Sequence, residues 1–332
     1  MAEIQYKKIL VIRFSSIGDI VLTTPLLRAI KSQLMGIQLH FVCKDVFATT
    51  LQHNPYIDQL YTFTTEIDEL LAKLQSEHYD LIIDLHNNLR SYRLIRTLGV
   101  KAFHFPKLNV RKFIAVNFKK LHVLPSQHIV DRYFQAVEKL RIMPDGKGLD
   151  YFITETDHID ITAHLAEKSN SKFIALVVGG SYFTKQIPLN KLNDICHQAV
   201  LPIVILGGKA DAAIAAELCK QHNNLVNLCG QLSLNQSASV IQQAEWVITS
   251  DTGLMHIASA YNKKIISVWG NTIPQFGMPP YMPNSQNKIL EVKNLPCRPC
   301  SKLGYKKCPI QHFKCMQNQH FSFLKDLDTE GN

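Results

Sequence analysis

KILVIRF, residues 8–14, runs into SSIGD at 15–19 and then into IVLTTPLLRAIKSQL at 20–34, and the order of these three pieces decides the fold. A short, almost uninterrupted apolar run reads as a parallel strand buried on both faces. The polar break is a turn, and residues 20–34 carry the period of a helix packed on a sheet. Together they make one β-loop-α unit. Apolar runs recur at 38–43, 81–85 and 102–105 with helical stretches between them, the alternation of an open parallel sheet.

Further along, MPDGKG at 143–148 is turn-forming, and an extended stretch at 151–156 leads into a polar helix and a second alternation. Strands are predicted at 173–178, 203–206, 246–249 and 265–269, separated by helices at 190–199, 210–221 and 234–243. A boundary near residue 160 follows, dividing the chain into domains 1–160 and 161–332. The length agrees, because 332 residues exceed the roughly 250–300 that one core usually holds. A hydrophobic fraction of 46% fills two cores, and the absence of low-complexity tracts argues against long disordered regions. After Gly270 the chain turns rich in Pro, Asn and Cys, and a helix is predicted at 317–327. The expected class is α/β, with two doubly wound Rossmann-like domains whose ligand crevices sit at the carboxyl ends of their strands. Facing each other, the two crevices would form one central cleft.

The formal charge of +9 favours an anionic partner, whether nucleic acid, an acidic lipid surface or a phosphorylated substrate. The longest apolar stretches, such as residues 9–12 and 201–206, fall far short of the ~20 residues that span a bilayer. No signal-peptide core is present, so a cytoplasmic protein is expected, free or peripheral on a membrane. KLNVRKFIAVNFKK at 107–120 interleaves Arg111, Lys112, Lys119 and Lys120 with Phe113, Ile114, Val116 and Phe118. Such a segment either lies on an anionic interface or is an ordinary solvated helix face.

Three loops sit where chemistry is expected. In RFSSIGD, Gly18 permits a tight turn, Ser15 and Ser16 supply hydroxyls, and the helix start offers free N–H groups. Asp19 reads there either as a plain N-cap carboxylate or as a general base. In VGGSYFTKQIP at 178–188, glycines with Ser181, Thr184 and Lys185 are what a diphosphate needs, or else a glycine-rich connection with a solvated lysine. In TSDTGLMHIA at 249–258, Asp251 and the N–H groups of Thr252 and Gly253 can grip hydroxyls and phosphate, while His256 reads equally as a packed residue. Neither a G-x-G-x-x-G fingerprint nor a P-loop is present, which counts against NAD-linked and P-loop readings. Four of the eight cysteines crowd together as Cys297, Cys300, Cys308 and Cys315, with His312 among them. They read as a structural zinc site, as reduced packing thiols, or as a redox or iron–sulfur centre.

The block KILVIRFSSIGDIVLTTPLLRAIK, the SDTGLMHIASA loop and the CRPC…CPIQHFKCM tail resemble glycosyltransferase family 9, the ADP-heptose:lipopolysaccharide heptosyltransferases, over nearly the whole chain. The resemblance implies a GT-B fold and a metal-independent, inverting transfer of heptose from ADP-heptose to the lipopolysaccharide inner core, on a Kdo or heptose acceptor. By position it implies Asp19 as catalytic base, with Arg13, Ser15, Ser16, Gly18 and Arg90 on the acceptor side. Ser181, Thr184, Lys185, Asp211, Asp251, Thr252, Gly253 and His256 fall on the donor side. Ile187 stands where the family often has tryptophan. The implied partners are ADP-heptose, a lipid A–Kdo acceptor and the inner face of the inner membrane; no nucleic acid and no required cofactor are expected. A GT-B transferase using a UDP- or GDP-sugar, or a non-catalytic protein binding anionic glycolipid, are the competing readings.

Overall fold

A computed structural model of the protein describes residues 6–161, 164–165 and 172–327. In chain order the elements are β1 (Lys8–Ile12), α1 (Ile17–Val21), α2 (Thr24–Gln33), β2 (Gln38–Lys44), β3 (Gln59–Phe63), α3 (Leu71–Ser76), β4 (Leu81–Asp84), α4 (Leu89–Leu98), β5 (Ala102–His104), α5 (Asn109–Phe118) and α6 (Ile129–Ala136). They continue with β6 (Ile174–Val177), α7 (Leu189–Gln198), β7 (Ile203–Leu206), α8 (Ala212–Gln221), β8 (Leu225–Asn227), α9 (Leu234–Gln243), β9 (Trp246–Ser250), α10 (Gly253–Ala260), β10 (Lys264–Trp269), β11 (Lys288–Glu291) and α11 (Lys314–Gln317).

The strands form two parallel sheets, ordered β3-β2-β1-β4-β5 and β11-β10-β9-β6-β7-β8. Counted from its own first strand, the second sheet has the 3-2-1-4-5-6 order of a dinucleotide-binding fold, and the first follows the same winding. Each order reverses once, between β1 and β4 and between β6 and β9. Covering both faces of a parallel sheet demands apolar residues at successive positions. Along β6 this is visible: Ile174 and Leu176 enter one buried cluster with Leu192 and Ile195 of α7, while Ala175 and Val177 enter another with Val240 of α9 and Met255 of α10.

The chain divides into two units, one of residues 1–108 and 127–152 and the other of 109–126 and 153–332. This division differs from a single cut near residue 160 in two respects, the first being that the last crossing falls at 152–153. The other is that the segment around α5 leaves the first unit and packs in the second, where Ala115 is buried against Ile273 and Phe276.

Several local expectations need correction. Residues 20–34 do not form one helix: α1 ends at Val21 and α2 begins at Thr24, with Pro25 in its first turn. A proline lacks the N–H that a continuous helix would use, and it is pre-set for a helix start. The strands β3, β8 and β11 were not predicted. Two of them, QLYTF and KILE, mix polar with apolar residues, and all three lie at or next to a sheet edge. The helix predicted at 317–327 is instead the short α11 followed by a 3-10 turn at Ser322–Asp326. The polar helix expected after residue 156 begins as a 3-10 turn, Glu155–Asp157, and its later part falls partly outside the described residues.

In the first unit α2 is tied to the 145–150 loop by Arg28, which is 5% exposed. Its guanidinium pairs with Asp145 at 2.7 Å, contacts Asp150 and donates to the Gly148 carbonyl at 2.9 Å. The Arg28 hydrogen bond holds the Asp145 carboxyl at about 2, below its ordinary 3.8. Burial, despite Arg28, raises Asp150. The Asp145 contribution to stability is therefore complete above the unfolded value and is lost as pH falls toward 2.

In the second unit the cysteine-rich tail fastens the loops that follow β6 and β10. Thr184 N–H donates to the Tyr305 carbonyl at 3.2 Å, and Tyr305 N–H donates to Thr184 Oγ1 at 2.8 Å. Phe183 stacks on Phe313 with ring centroids 5.1 Å apart. Arg298 pairs with Glu291 at 2.6 Å and donates to the carbonyls of Gly270 and Thr272. Gly304 has φ +136°, and a Cβ there would lie 2.5 Å from Tyr182 Cβ.

Two outcomes are expected. Arg28→Ala should lower unfolding free energy by about 3–5 kcal/mol, because two carboxylates lose their cation; urea denaturation measures it, and a change within error would mean that the pair is unimportant. Gly304→Ala should cost about 1–3 kcal/mol through backbone strain and the Tyr182 collision, and a thermal melt equal to that of the parent would show that Tyr182 gives way freely.

Candidate active site

All the loop candidates lie beyond the carboxyl ends of strands, and four of the loops flank the two points where strand order reverses. In the first unit these are the loops after β1 and β4. Arg13, 8% exposed, continues β1 and lies at their junction. It donates from Nε to the Ser15 carbonyl at 2.8 Å and from Nη1 to the Leu85 carbonyl at 2.5 Å, and Nη2 pairs with Asp19 Oδ1 at 2.6 Å. Burial opposes the Arg13 charge, but Asp19 leads the groups that outweigh it, and its pKa is raised. The other oxygen of Asp19 accepts from Ser16 Oγ at 3.0 Å and, more weakly, from Ser16 N–H at 3.4 Å.

Asp19 is thus both an N-terminal capping carboxylate of α1 and the partner of a buried cation. Its side chain keeps 20% exposure, so solvent or a substrate hydroxyl can reach it. Gly18 is buried within α1.

The loop after β4 is organised by Asp84, a residue the sequence reading did not single out. Its carboxylate accepts from the N–H groups of His86 and Asn87 at 2.9 and 2.7 Å and from Ser91 Oγ at 2.8 Å. Asn88 caps α4 by accepting from Ser91 N–H at 2.9 Å, which sets Arg90 in the first turn. Arg90 is half-buried and has no ion-pair or hydrogen-bonding side-chain partner among the described residues. His86 was also missed. Its ring lies 4.8 Å from that of Phe14, and Nδ1 is buried without a partner among the described residues. Burial, then the charges of Arg13 and Lys107, press its pKa down to about 3, so the ring is neutral at physiological pH. The asparagines and Asp84 in DLHNNLRS were the available signal, since Asp and Asn are the residues that bond a turn's own backbone.

In the second unit the loops after β6 and β9 meet through Lys185 and Asp251, whose Nζ and Oδ2 are 2.6 Å apart. Thr272 Oγ1 donates to the same carboxylate oxygen at 3.1 Å. Thr252 caps α10 by accepting from Met255 N–H, and Gly253 opens the helix. His256 is 1% exposed within α10, as a packed residue would be. Thr184 is buried in its pairing with Tyr305, whereas Ser181 is exposed. Asp211 comes to the same loop: it accepts from Gly208 N–H at 2.8 Å, and a Cβ on Gly179 would lie 2.6 Å from its Oδ2. A side chain at 179 would have to displace the Asp211 carboxylate, so glycine there serves close approach and not an unusual φ.

Two further groups belong to this cluster and escaped the sequence reading. Ser250 Oγ lies 3.9 Å from where a Gly180 Cβ would stand, and Asn271 follows β10; the hydroxyl and both amide atoms are buried without partners among the described residues. Ser250 was legible as the neighbour of Asp251. Asn271 had no signal beyond its place after a predicted strand.

Cys297 Sγ lies 3.7 Å from His312 Nε2, yet among the described residues no three His, Cys, Asp or Glu side chains gather into a set able to hold a metal. Burial, followed by neighbouring thiols, pushes Cys315 up to about 12 and raises Cys300. Both stay protonated at neutral pH.

The arrangement offers a charge-balanced carboxylate on one unit and a lysine–aspartate pair beside glycine-rich backbone on the other. Comparison with known proteins identifies the family. The profile of glycosyltransferase family 9 (heptosyltransferase) matches residues 67–308. Lipopolysaccharide heptosyltransferase 1 of Campylobacter coli is 26% identical over 289 residues, 80% of this chain and 84% of that protein. Lipooligosaccharide heptosyltransferase 2 of Haemophilus ducreyi is 26% identical over 305 residues, 82% of this chain and 86% of that protein. The crystal structure of the family 9 glycosyl transferase from Veillonella parvula superposes with a TM-score of 0.72 at 20% identity, covering 87% of this chain and 88% of that one. The E. coli heptosyltransferase WaaC with ADP gives 0.65 at 20% identity over 85% and 92%. These likenesses give the fold as GT-B. With more than two thirds of its length matched by the family profile, the chain belongs to glycosyltransferase family 9 and is a glycosyltransferase.

Proposed function

We propose that this enzyme transfers a heptose from ADP-heptose to a sugar hydroxyl of the lipopolysaccharide inner core, with inversion and without a metal ion. The observation that carries the reading is the pairing of Asp19 with buried Arg13 in one unit and of Lys185 with Asp251 in the other, at 2.6 Å each. The names of the relatives and the ADP held by WaaC support the donor.

In this reading Asp19 takes the proton of the acceptor hydroxyl as its oxygen attacks the anomeric carbon. The bond from that carbon to the diphosphate breaks, its electron pair leaves with ADP, and attack from the opposite side inverts the centre. Arg13 fixes the carboxylate and balances its charge in a site of low dielectric. Lys185 supplies the positive charge that a departing diphosphate needs, so no metal ion is called for. Donor arrival would draw Lys185 from Asp251 toward phosphate and free the carboxylate for sugar hydroxyls. Ser181, Thr252 and Gly253 add donors at a helix start, where anions are favoured. Asp211 serves the nucleoside, and His256 and Thr184 hold the loops from behind. Arg90, without an ion-pair partner among the described residues, faces the acid groups of the acceptor, alongside Ser15, Ser16 and Gly18.

Mass spectrometry of transfer from ADP-heptose to a heptose-deficient Kdo–lipid A acceptor tests the reaction. One added heptose, unaffected by EDTA, is expected; no transfer from ADP-heptose with transfer from a UDP- or GDP-sugar would replace the donor. Asp19→Ala should lower turnover at least about a hundredfold while ADP affinity persists, and near-normal turnover would remove Asp19 as base. Lys185→Ala should weaken ADP about ten- to a hundredfold, the worth of one charge-assisted hydrogen bond, with repulsion from unpaired Asp251 acting in the same direction; unchanged affinity in calorimetry would move the diphosphate elsewhere.

A further inference from the structure

The formal charge of the protein falls in one stretch of its sequence. Between Asp84 and Asp131 there is no acidic residue, while nine lysines and arginines fall there: Arg90, Arg93, Arg96, Lys101, Lys107, Arg111, Lys112, Lys119 and Lys120. The rest of the chain holds 27 basic residues against 27 acidic ones, so this stretch accounts for the whole formal charge of +9.

Within it, α5 is apolar on two sides. Its inner side seats Ala115 and Val116 on Ile273 and Phe276. Its outer side presents Val110, 73% exposed, and Phe113, 60% exposed, and Phe118 at its end is 63% exposed. The rings of Phe113 and Phe118 meet edge to face at 6.4 Å, so the apolar surface is continuous. A helix on a soluble surface normally turns polar residues outward, and a joined apolar patch rimmed by charge marks an interaction site. Arg111 and Lys120 are exposed beside it and have no ion-pair partners among the described residues. Lys119 is spent differently, bonding the carbonyls of Val116, Cys297 and Pro299.

We propose that α5 is a docking element that lies on an anionic phospholipid surface, with Val110, Phe113 and Phe118 among the acyl chains and Arg111 and Lys120 at the headgroups. Charge complementarity selects an anionic partner, and aliphatic Val110 and half-buried Ile114 favour acyl chains over nucleic-acid bases, on which only the rings could stack. The inference deepens the proposed function by bringing the enzyme to the bilayer that carries its acceptor, but binding does not depend on the identity of the sugar.

Sedimentation with vesicles of equal parts phosphatidylethanolamine and phosphatidylglycerol, against vesicles of phosphatidylcholine alone, is the test. The protein should bind the anionic vesicles, less so at high salt, and pass over the neutral ones. Arg111→Gln and Lys120→Gln should each weaken binding about fivefold, the worth of one cation at such a surface. Phe113→Ser with Phe118→Ser should abolish most of it. Thermal melts and turnover on a lipid-free core oligosaccharide should match the parent. Parent-like binding by both variants, equal binding to neutral vesicles, or retention on single-stranded oligonucleotide with none on vesicles would overturn the inference. Lost vesicle binding in variants of an enzyme that transfers no heptose would uphold docking and sink the proposed reaction instead.

Discussion

A parallel sheet buried on both faces has to send its chain back over one face or the other after every strand, and where that choice reverses the covering elements part. The candidate site residues that follow β1, β4, β6 and β9 take their positions from that reversal. Between β1 and β4, and again between β6 and β9, neighbouring strands end with loops that depart in opposite directions. The space they leave is lined by the first residues after each strand. Arg13, Leu85 and Asp19 occupy one such opening, and Gly179, Gly180, Lys185 and Asp251 the other. Ion pairs are tolerable there because each charge is met by another, and Arg13, Asp19 and Asp251 also by carbonyls or hydroxyls, which offsets part of the desolvation cost.

The parts of this design legible in sequence are those set by one physical demand at a time. KILVI has to be a central strand because nothing else explains so apolar a run before so polar a turn. The edge strands QLYTF and KILE answer two demands, a buried face and a wet one, and their mixed composition is indistinguishable from a loop. Pro25 starts α2, yet the apolar pattern of residues 20–34 hides the break, since every residue from Ile20 to Ile30 is buried across both helices. Of the candidate site, the sequence offered Asp19 and Lys185 by residue type and position, and each stands in an ion pair beyond the carboxyl end of a strand. The site was illegible where a role comes from burial: nothing in the sequence distinguishes the neutral, cation-pressed His86 from a surface histidine, or the unpartnered amide of Asn271 from a turn asparagine.

The cysteine-rich tail also has a bracing role that its composition does not announce. Its bonds to Thr184, Gly270 and Thr272 hold the loops after β6 and β10 from outside the sheet. A five-residue excursion at Tyr182 to Gln186, with only one 3-10 turn of its own, would otherwise have few bonds to fix the lysine it carries. The thiols contribute apolar bulk to that brace, Cys315 entering the same buried cluster as Ile187 and Leu192.

The excursion of residues 109–126 has a consequence for how members of this family can be recombined. Because the α5 segment leaves one unit to complete the apolar surface of the other, the polypeptide passes between the units three times. A gene fusion joined near residue 152 would therefore carry a foreign helix onto Ile273 and Phe276, leaving the native Ala115 without its seat. Exchange of donor halves between relatives preserves packing when residues 109–126 travel with them, and in that sense the inheritable module is discontinuous.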